Sequence, residues 1–313
     1  MGEWADIRGA GVVLEDEAVL VLNKPAGLSV MGERHETDLV TMAAAAGEEL
    51  FPVHRIDKAT SGAVLLAKEL RWHGPLTRQF AGRTVGKTYL AITGPGGLPA
   101  RGVIDLPLSA GRKGRVRVAA QRASIVADDA HGTWSVPEAE VFGHVRTYPS
   151  VTTFAAVWQD GRHALLAVRP VTGRRHQIRV HLAWIGHPVE GDPLFGPTDA
   201  HRALLHSWRL AFDAAWRGGA RVRVEAAPGD DFWAPVLDRL PRLDPAALLA
   251  GAPDPPDPPP PPPARAKAAG YPAAPMRTAM TGGVSAASAF CPVLWMPRAR
   301  PAQAGPACSA TAV

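Results

Sequence analysis

The stretch His54–Gly62, with the sequence HRIDKATSG, runs directly into the apolar segment Ala63–Ala67. An apolar run of this length after small residues predicts a buried β-strand, and the polar residues before it predict a loop. The loop holds one acidic residue, Asp57, among basic neighbours. A lone carboxylate held by cations stays ionised and can act as a nucleophile. These residues alone indicate either a catalytic aspartate at the end of a strand or a surface ion pair before a turn.

Short apolar or alternating segments bounded by glycine or proline recur along the chain, and they predict strands. We expect strands at residues 12–14, 19–25, 63–67, 88–92, 102–108, 115–118, 152–158, 164–168 and 177–180. Helices are expected at 37–46 and at 75–80, where Pro75 would occupy the first turn. Many strands with few helices between them favour an α+β fold with a mixed, mostly antiparallel sheet over a βαβ fold.

The composition changes near residue 243. Up to that point the pattern is that of a globular protein, whereas proline, alanine and glycine dominate afterwards, with an unbroken proline run at 258–263. Such a segment cannot bury enough apolar surface to offset its ordering entropy. We therefore expect a folded domain over 1–243 and a disordered Pro/Ala-rich tail over 244–313.

The net charge of +5 says little about partners, because the segment from Asp254 onward holds five basic and two acidic residues and leaves only +2 elsewhere. Both cysteines, Cys291 and Cys308, also lie in this segment, which favours a reducing compartment for the body. The chain has no signal-peptide pattern at its start and no run of about eighteen apolar residues. We expect a cytoplasmic protein with no membrane span.

Two clusters of basic residues are better guides than the net charge. The first, at 111–118, contains Arg112, Lys113 and Arg115, and the second, at 173–179, contains Arg174, His176 and Arg179. Clusters of this kind suit a phosphate backbone, although the first could also be a solvated loop. A metal site at His176, His181 and His187 is disfavoured, because no carboxylate pair lies at ligand spacing and the neighbouring arginines repel a cation.

Taken together, these segments resemble the RluA family of RNA pseudouridine synthases over roughly residues 12–235. Any one block is modest evidence, but all of them in this order are specific. The matching blocks are 22–28 (LNKPAGL), 54–62 (HRIDKATSG), 87–89 (KTY), 172–181 (TGRRHQIRVH), 186–193 (GHPVEGDP), 204–206 (LLH) and 226–228 (AAP). The resemblance implies a pseudouridine synthase-like catalytic domain with a central bent sheet, mostly antiparallel, and peripheral helices.

The resemblance also implies a reaction, in which a uridine in RNA is detached from its ribose, rotated and rejoined through carbon without cofactor or metal. Asp57 would be the catalytic carboxylate, by direct attack on the sugar or by an elimination route, and Arg179 would keep it ionised and oriented. Tyr89 would stack on the target base, although an aromatic residue on a strand could equally belong to the core. Arg55 would fill the gap that the extruded base leaves in the RNA. The block Asn23–Pro25 would be scaffold around the active-site loop.

The chain leaves no room for an S4-type RNA-binding domain in front of the catalytic domain, so we expect the catalytic domain itself to bind RNA. Arg112, Lys113, Arg115, Arg174 and His176 are the expected contacts, and a tRNA or large-subunit rRNA is the expected partner of a monomer. Two rival hypotheses are an RNA-binding protein without the chemistry and a metal-dependent RNA hydrolase. The presence of Asp57, Tyr89 and Arg179 disfavours the first, and the lack of a carboxylate cluster disfavours the second.

Overall fold

In a computed structural model of the protein, the described residues are 3–32, 38–111, 115–196, 202–234, 236–237 and 244–257. Their strands are β1 Val12–Glu15, β2 Val19–Lys24, β3 Phe51–Pro52, β4 Ser61–Ala67, β5 Gly86–Thr93, β6 Arg101–Asp105, β7 Leu108–Ala110, β8 Val116–Val118, β9 Val126–Asp128, β10 Thr133–Ser135, β11 Thr147–Tyr148, β12 Val151–Gln159, β13 Ala164–Pro170, β14 Leu205–Ala214 and β15 Ala220–Glu225. Their α-helices are α1 Trp4–Gly11, α2 Leu39–Ala45, α3 Leu70–Ala81, α4 Gln177–Trp184, α5 Asp230–Trp233 and α6 Pro245–Ala250.

Most strands belong to one twelve-stranded sheet in the order β1-β2-β4-β14-β5-β13-β12-β6-β10-β9, with β15 beside β14 and β3 beside β4. The strands β11, β7 and β8 form a separate three-stranded sheet. Pairing is antiparallel except between β14 and β4 and between β10 and β6. The predicted α+β class with a mostly antiparallel sheet is therefore confirmed.

The strand that follows the Asp57 loop lies deep inside the sheet. All seven residues of β4 are buried, as the apolar run predicted. At its start β4 runs parallel to β14, with Gly62 opposite Ser207. Gly62 has a φ of 108°, and a Cβ atom there would overlap the backbone of Ser207. Only glycine fits this close approach, because it has no Cβ and tolerates positive φ.

Three sequence predictions need correction. The helix predicted at 75–80 begins at Leu70, so Pro75 lies inside α3 and not in its first turn. The strand predicted at 102–108 is divided into β6 and β7. The most consequential error is the strand predicted at 177–180, which is the start of helix α4. Residues 177–182 alternate polar and apolar side chains, which is the pattern of a strand, yet every residue from Gln177 to Ala183 is buried in a helix.

Helix α4 is fixed by the largest apolar cluster of the protein. Its side chains Ile178, Val180 and Leu182 pack with Phe154 of β12 and Leu166 of β13. Since Arg179 lies between these anchors, the packing sets the position of its side chain. Arg179 is therefore positioned by a helix packed on the sheet, and not by the predicted strand.

Packing continues past the predicted domain boundary at residue 243. Helix α6 is N-capped by Asp244, whose carboxylate accepts a hydrogen bond from the amide of Ala246. Leu249 of α6 is buried in a cluster with Trp208 and Phe232. The residues up to 257 thus belong to the packed body, because α6 supplies an apolar side chain that composition did not single out. Among the described residues, no helix is long and apolar enough to cross a membrane.

Candidate active site

The loop that holds Asp57 is fixed at both sides. The amide of Thr60 donates to the carbonyl of Asp57, and the amide of Gly27 donates to the carbonyl of Lys58 at 2.8 Å. The segment around Gly27 is held in turn by the buried ammonium of Lys24, which donates to the carbonyls of Pro25 and Leu28. Lys24 therefore acts as scaffold for the Asp57 loop, as the sequence predicted for its block.

Burial lowers the pKa of Lys24 to about 7, although the negative charge of Asp57 acts in the opposite direction. Because such an effect acts only over a short distance, the Lys24 ammonium and the Asp57 carboxylate lie near each other. Because both hydrogen bonds of Lys24 go to backbone carbonyls, its ammonium holds the loop and leaves the carboxylate of Asp57 available. The side chain of Asp57 is 22% exposed, so it remains accessible from outside.

Arg179 links Asp57 to a second carboxylate. Its Nη1 donates to Asp57 Oδ2 at 2.9 Å, while its Nε and Nη2 donate to Asp192 at 2.6 and 2.7 Å. Asp192 is fully buried and also accepts the amides of Leu194 and Phe195. Burial alone would lower the pKa of Arg179, but the hydrogen bonds and charges of Asp192 and Asp57 outweigh it and raise that pKa. A permanent cation therefore faces Asp57.

His176 adds a neutral group beside the carboxylate. It precedes α4 in the left-handed conformation with a φ of 55°, and this places its Nε2 at 3.7 Å from Asp57 Oδ1. Arg175 Nε donates to His176 Nε2, so the ring proton lies on Nδ1. Burial is the main cause of a lowered pKa for His176. Within the described part of the chain the buried Nδ1 atom has no hydrogen-bond partner.

The loop before His176 is held by one buried side chain. The Oε1 atom of Gln177 accepts hydrogen bonds from Thr172 Oγ1 at 2.6 Å and from the amide of Arg174 at 3.0 Å. Its Nε2 donates to the carbonyl of Val151. Gln177 thus joins the loop to β12 and keeps Arg174 and His176 at the rim of the site.

These side chains surround a cavity of about 710 Å³. Tyr89 of β5 lies on its wall, half-buried, and burial raises the pKa of its phenol to about 12. The phenol is thus protonated at neutral pH and can donate a hydrogen bond but cannot serve as a base. An aromatic ring on the wall of such a cavity suits a planar ligand.

The structure brings most of the predicted residues together. The predicted residues that line the cavity are Arg55, Asp57, Tyr89, Arg174, His176 and Arg179. Arg55 is exposed and pairs with no acidic residue of the described chain, and Arg174 lies over the ring of Tyr148. Arg115 is at the edge of β8 and does not line the cavity. Arg112 and Lys113 lie outside the described residues.

Two contributors were missed from the sequence. Asp192 was noticed only as part of a matching block, although an acidic residue between glycine and proline is a signal for a fixed turn. Lys87 precedes Tyr89 by two residues on β5 and lines the cavity, and burial lowers its pKa. In the described residues, no group of three or more histidine, cysteine, aspartate or glutamate side chains is placed to hold a metal ion. The chemistry present is one accessible carboxylate, one fixed cation and one phenol.

The chain is similar to known proteins over most of its folded part. The family described as RNA pseudouridylate synthase matches residues 18–184. The tRNA pseudouridine synthase C of Vibrio vulnificus is 33% identical, over 73% of this chain and 94% of that protein. The ribosomal large subunit pseudouridine synthase D of Zymomonas mobilis is 35% identical, over 64% of this chain and 60% of that protein. The solved structure of human RNA pseudouridylate synthase domain containing 4 has a TM-score of 0.59 and 25% identity, covering 76% of this chain and 95% of that one.

Proposed function

The chain belongs to the RNA pseudouridylate synthase family, whose members isomerise uridine in RNA, and we propose that Asp57 is the catalytic carboxylate with which it does so. The predicted membership of the RluA family and the predicted enzyme class are both confirmed. The observation that supports the role of Asp57 is its contact with Arg179 at 2.9 Å on the wall of an open cavity. The hydrogen bond from Arg179 holds the carboxylate in this position.

The reaction breaks the bond between N1 of uracil and C1′ of ribose, and then joins C1′ to C5 of the same base. The C5 proton leaves and N1 gains one, so no atoms or electrons are gained or lost and the reaction needs no redox cofactor. Either route, direct attack on C1′ or elimination, begins from the ionised Asp57. Tyr89 would stack on the uracil while it rotates, because its ring lies on the cavity wall.

The target base must leave its stack to reach the cavity. We propose that Arg55 enters the RNA in its place, since Arg55 is exposed at the rim and has no acidic partner among the described residues. Arg174 and His176 would contact the extruded nucleotide, and Arg112, Lys113 and Arg115 would contact the RNA backbone.

The names of the relatives suggest the kind of RNA. One relative is named for tRNA and another for the large ribosomal subunit, so we propose that this enzyme modifies one of these two classes. We also propose that it works as a monomer in the cytoplasm.

The decisive experiment is pseudouridine mapping of total RNA from cells that lack the gene, complemented with wild type or with Asp57→Asn. We expect a discrete tRNA or rRNA site to lose its pseudouridine and to regain it only with wild type. Purified Asp57→Asn should bind the same RNA normally but turn over at least about 10³-fold more slowly. Restoration of the site by Asp57→Asn would refute the proposed role of Asp57, and no lost site would argue against the activity.

A further inference from the structure

A second groove adjoins the active-site cavity. It has a volume of about 700 Å³ and shares Lys87 and Pro170 with that cavity. We call it the basic groove, and its walls are residues 83–88, 169–171, 209–211, 221 and 223–225 together with Asp254. The beginning of β5, the end of β13 and the outer strands β14 and β15 thus form one continuous wall beside the site.

Positive charge dominates the basic groove. Its six basic side chains face only two acidic ones, Glu225 and Asp254, and the basic ones are Arg83, Lys87, Arg169, Arg209, Arg221 and Arg223. The outer arginines Arg209 and Arg221 form ion pairs with Glu225 at 2.8 Å and with Asp213 at 3.0 Å. These contacts are partly exposed, so they contribute little and can be exchanged for a stronger anion.

Three cations of the groove have no acidic partner in the described part of the chain: Arg83, Lys87 and Arg223. Arg83 and Arg223 are exposed, whereas Lys87 is half-buried at the junction with the active-site cavity. Burial, followed by the charge of Arg83, lowers the pKa of Lys87. A buried cation without a counterion costs free energy unless an anion accompanies it. A negatively charged ligand at this junction would therefore be stabilised by Lys87.

The chemistry of the wall distinguishes between parts of an RNA. Among the residues that the structure describes, no aromatic side chain lines the basic groove, whereas proteins that read unstacked bases use aromatic platforms. Arginine and lysine without aromatic residues suit phosphate oxygens, which fix position but carry no sequence information. Arg221 and Arg223 are two residues apart on β15, so their side chains lie on the same face of the strand.

We propose that the basic groove binds the phosphate backbone of the RNA stem next to the target uridine. This inference rests on the proposed function, because an RNA held in the active-site cavity continues past Lys87 into the groove. The groove then supplies affinity for long RNA, while the cavity supplies the chemistry. A minimal stem-loop that ends close to the target uridine would not reach Arg83 and Arg223.

The test compares two double variants of the full chain. Arg83→Gln with Arg223→Gln removes two unpaired charges from the groove. Arg101→Gln with Arg162→Gln removes the same charge from exposed positions that line neither cavity. Dissociation constants are measured for the RNA identified by mapping, both as a full-length transcript and as a minimal stem-loop. Each measurement is repeated at several salt concentrations between about 50 and 200 mM.

We expect the groove variant to bind the full transcript about 10-fold more weakly and to lose about two units of salt slope. Its kcat and its binding of the stem-loop should equal those of wild type, and the control variant should match wild type throughout. If an active groove variant keeps the affinity and the salt slope of the control, the groove proposal is wrong and the proposed function stands. A wild-type protein without activity on any RNA would instead refute the proposed function, and with it the groove.

Discussion

Arg179 gives Asp57 a single hydrogen bond, from Nη1 to Oδ2 at 2.9 Å. The rest of its guanidinium is held by Asp192, which is bidentate and fully buried. A bidentate pair fixes the plane of the guanidinium as well as its position. The direction in which Nη1 points is therefore set by Asp192, which does not line the cavity, and Asp57 accepts a hydrogen bond from a donor whose orientation is fixed.

Asp192→Asn should test this arrangement. The variant removes the charge that orients Arg179, so we expect kcat to fall by about 10- to 100-fold with little change in KM. Because it breaks a buried ion pair, it should also lower the free energy of unfolding by about 3 kcal/mol. Steady-state kinetics and urea unfolding measure both effects.

The matched control is Glu69→Gln, which removes the partner of Arg71 from an exposed ion pair. Exposed pairs contribute less than about 1 kcal/mol, so this variant should unfold and turn over like wild type. A normal kcat in Asp192→Asn would mean that Asp57 does not depend on the orientation of Arg179.

Tyr89 has a ring and a hydroxyl, and two substitutions separate them. Since burial keeps the phenol protonated, with a pKa of about 12, we assign its main role to stacking of the ring. Tyr89→Phe should then stay within a few-fold of wild type, whereas Tyr89→Leu should lose about 10- to 100-fold in kcat/KM, as stacking of one base is worth about 1–3 kcal/mol. Equal losses in both variants would assign the role to the hydroxyl.

Arg55 should matter only where a base has to be extruded from a helix. Arg55→Ala should lower kcat/KM for a structured substrate by about 10-fold or more, because the unstacking cost of a few kcal/mol is no longer offset. The same variant should act normally on an unstructured oligonucleotide with the same target uridine. Parallel assays on the two RNAs measure the difference, and an equal loss on both would exclude a role in base extrusion.

Acid should destabilise the protein through three histidines whose pKa values are lowered in the folded state. Burial lowers the pKa of His54 to about 3 and those of His181 and His206 to about 4. Below pH 6.5 the unfolded chain binds protons that the folded chain cannot, so stability falls as the pH falls from 6.5 toward 4.

His181 offers the cleanest test, because its ring joins Thr152 Oγ1 and the carbonyl of Leu106 inside the body. At pH 4.5 its pKa shift should cost about 2 to 3 kcal/mol relative to neutral pH. In His181→Gln the loss of stability between pH 7 and pH 4.5, measured by urea unfolding, should be smaller than in wild type by that amount. An unchanged loss would show that His181 accepts a proton in the folded state.

Local patterns predicted the framework of the fold well. The second strand of the first hairpin ends at Lys24 because Pro25 follows it, and the apolar run 63–67 is a buried strand. Both features depend only on residues that are neighbours in the sequence, so the sequence could predict them. Helix α4 could not be identified in this way, because the choice between helix and strand at 177–183 is made by packing against β12 and β13. Asp192 likewise has a role only through Arg179, which is 13 residues away.

The candidate site was predicted in outline because the resemblance named Asp57, Tyr89 and Arg179. The structure brings their side chains to one cavity, but their roles stay predictions until the variants are measured. The basic groove was not predicted, because its cations come from four separate segments and no stretch of sequence contains more than two of them.

The close approach of Gly62 to Ser207 limits how this enzyme can diversify. Exposed side chains such as Arg55 and Arg223 can change without disturbing the sheet, so the RNA contacts proposed for them are open to gradual substitution. Position 62 accepts no side chain, because any Cβ would push β14 away from β4. Surface contacts of this chain can therefore vary one residue at a time, while the start of β4, directly after the Asp57 loop, admits no such variation.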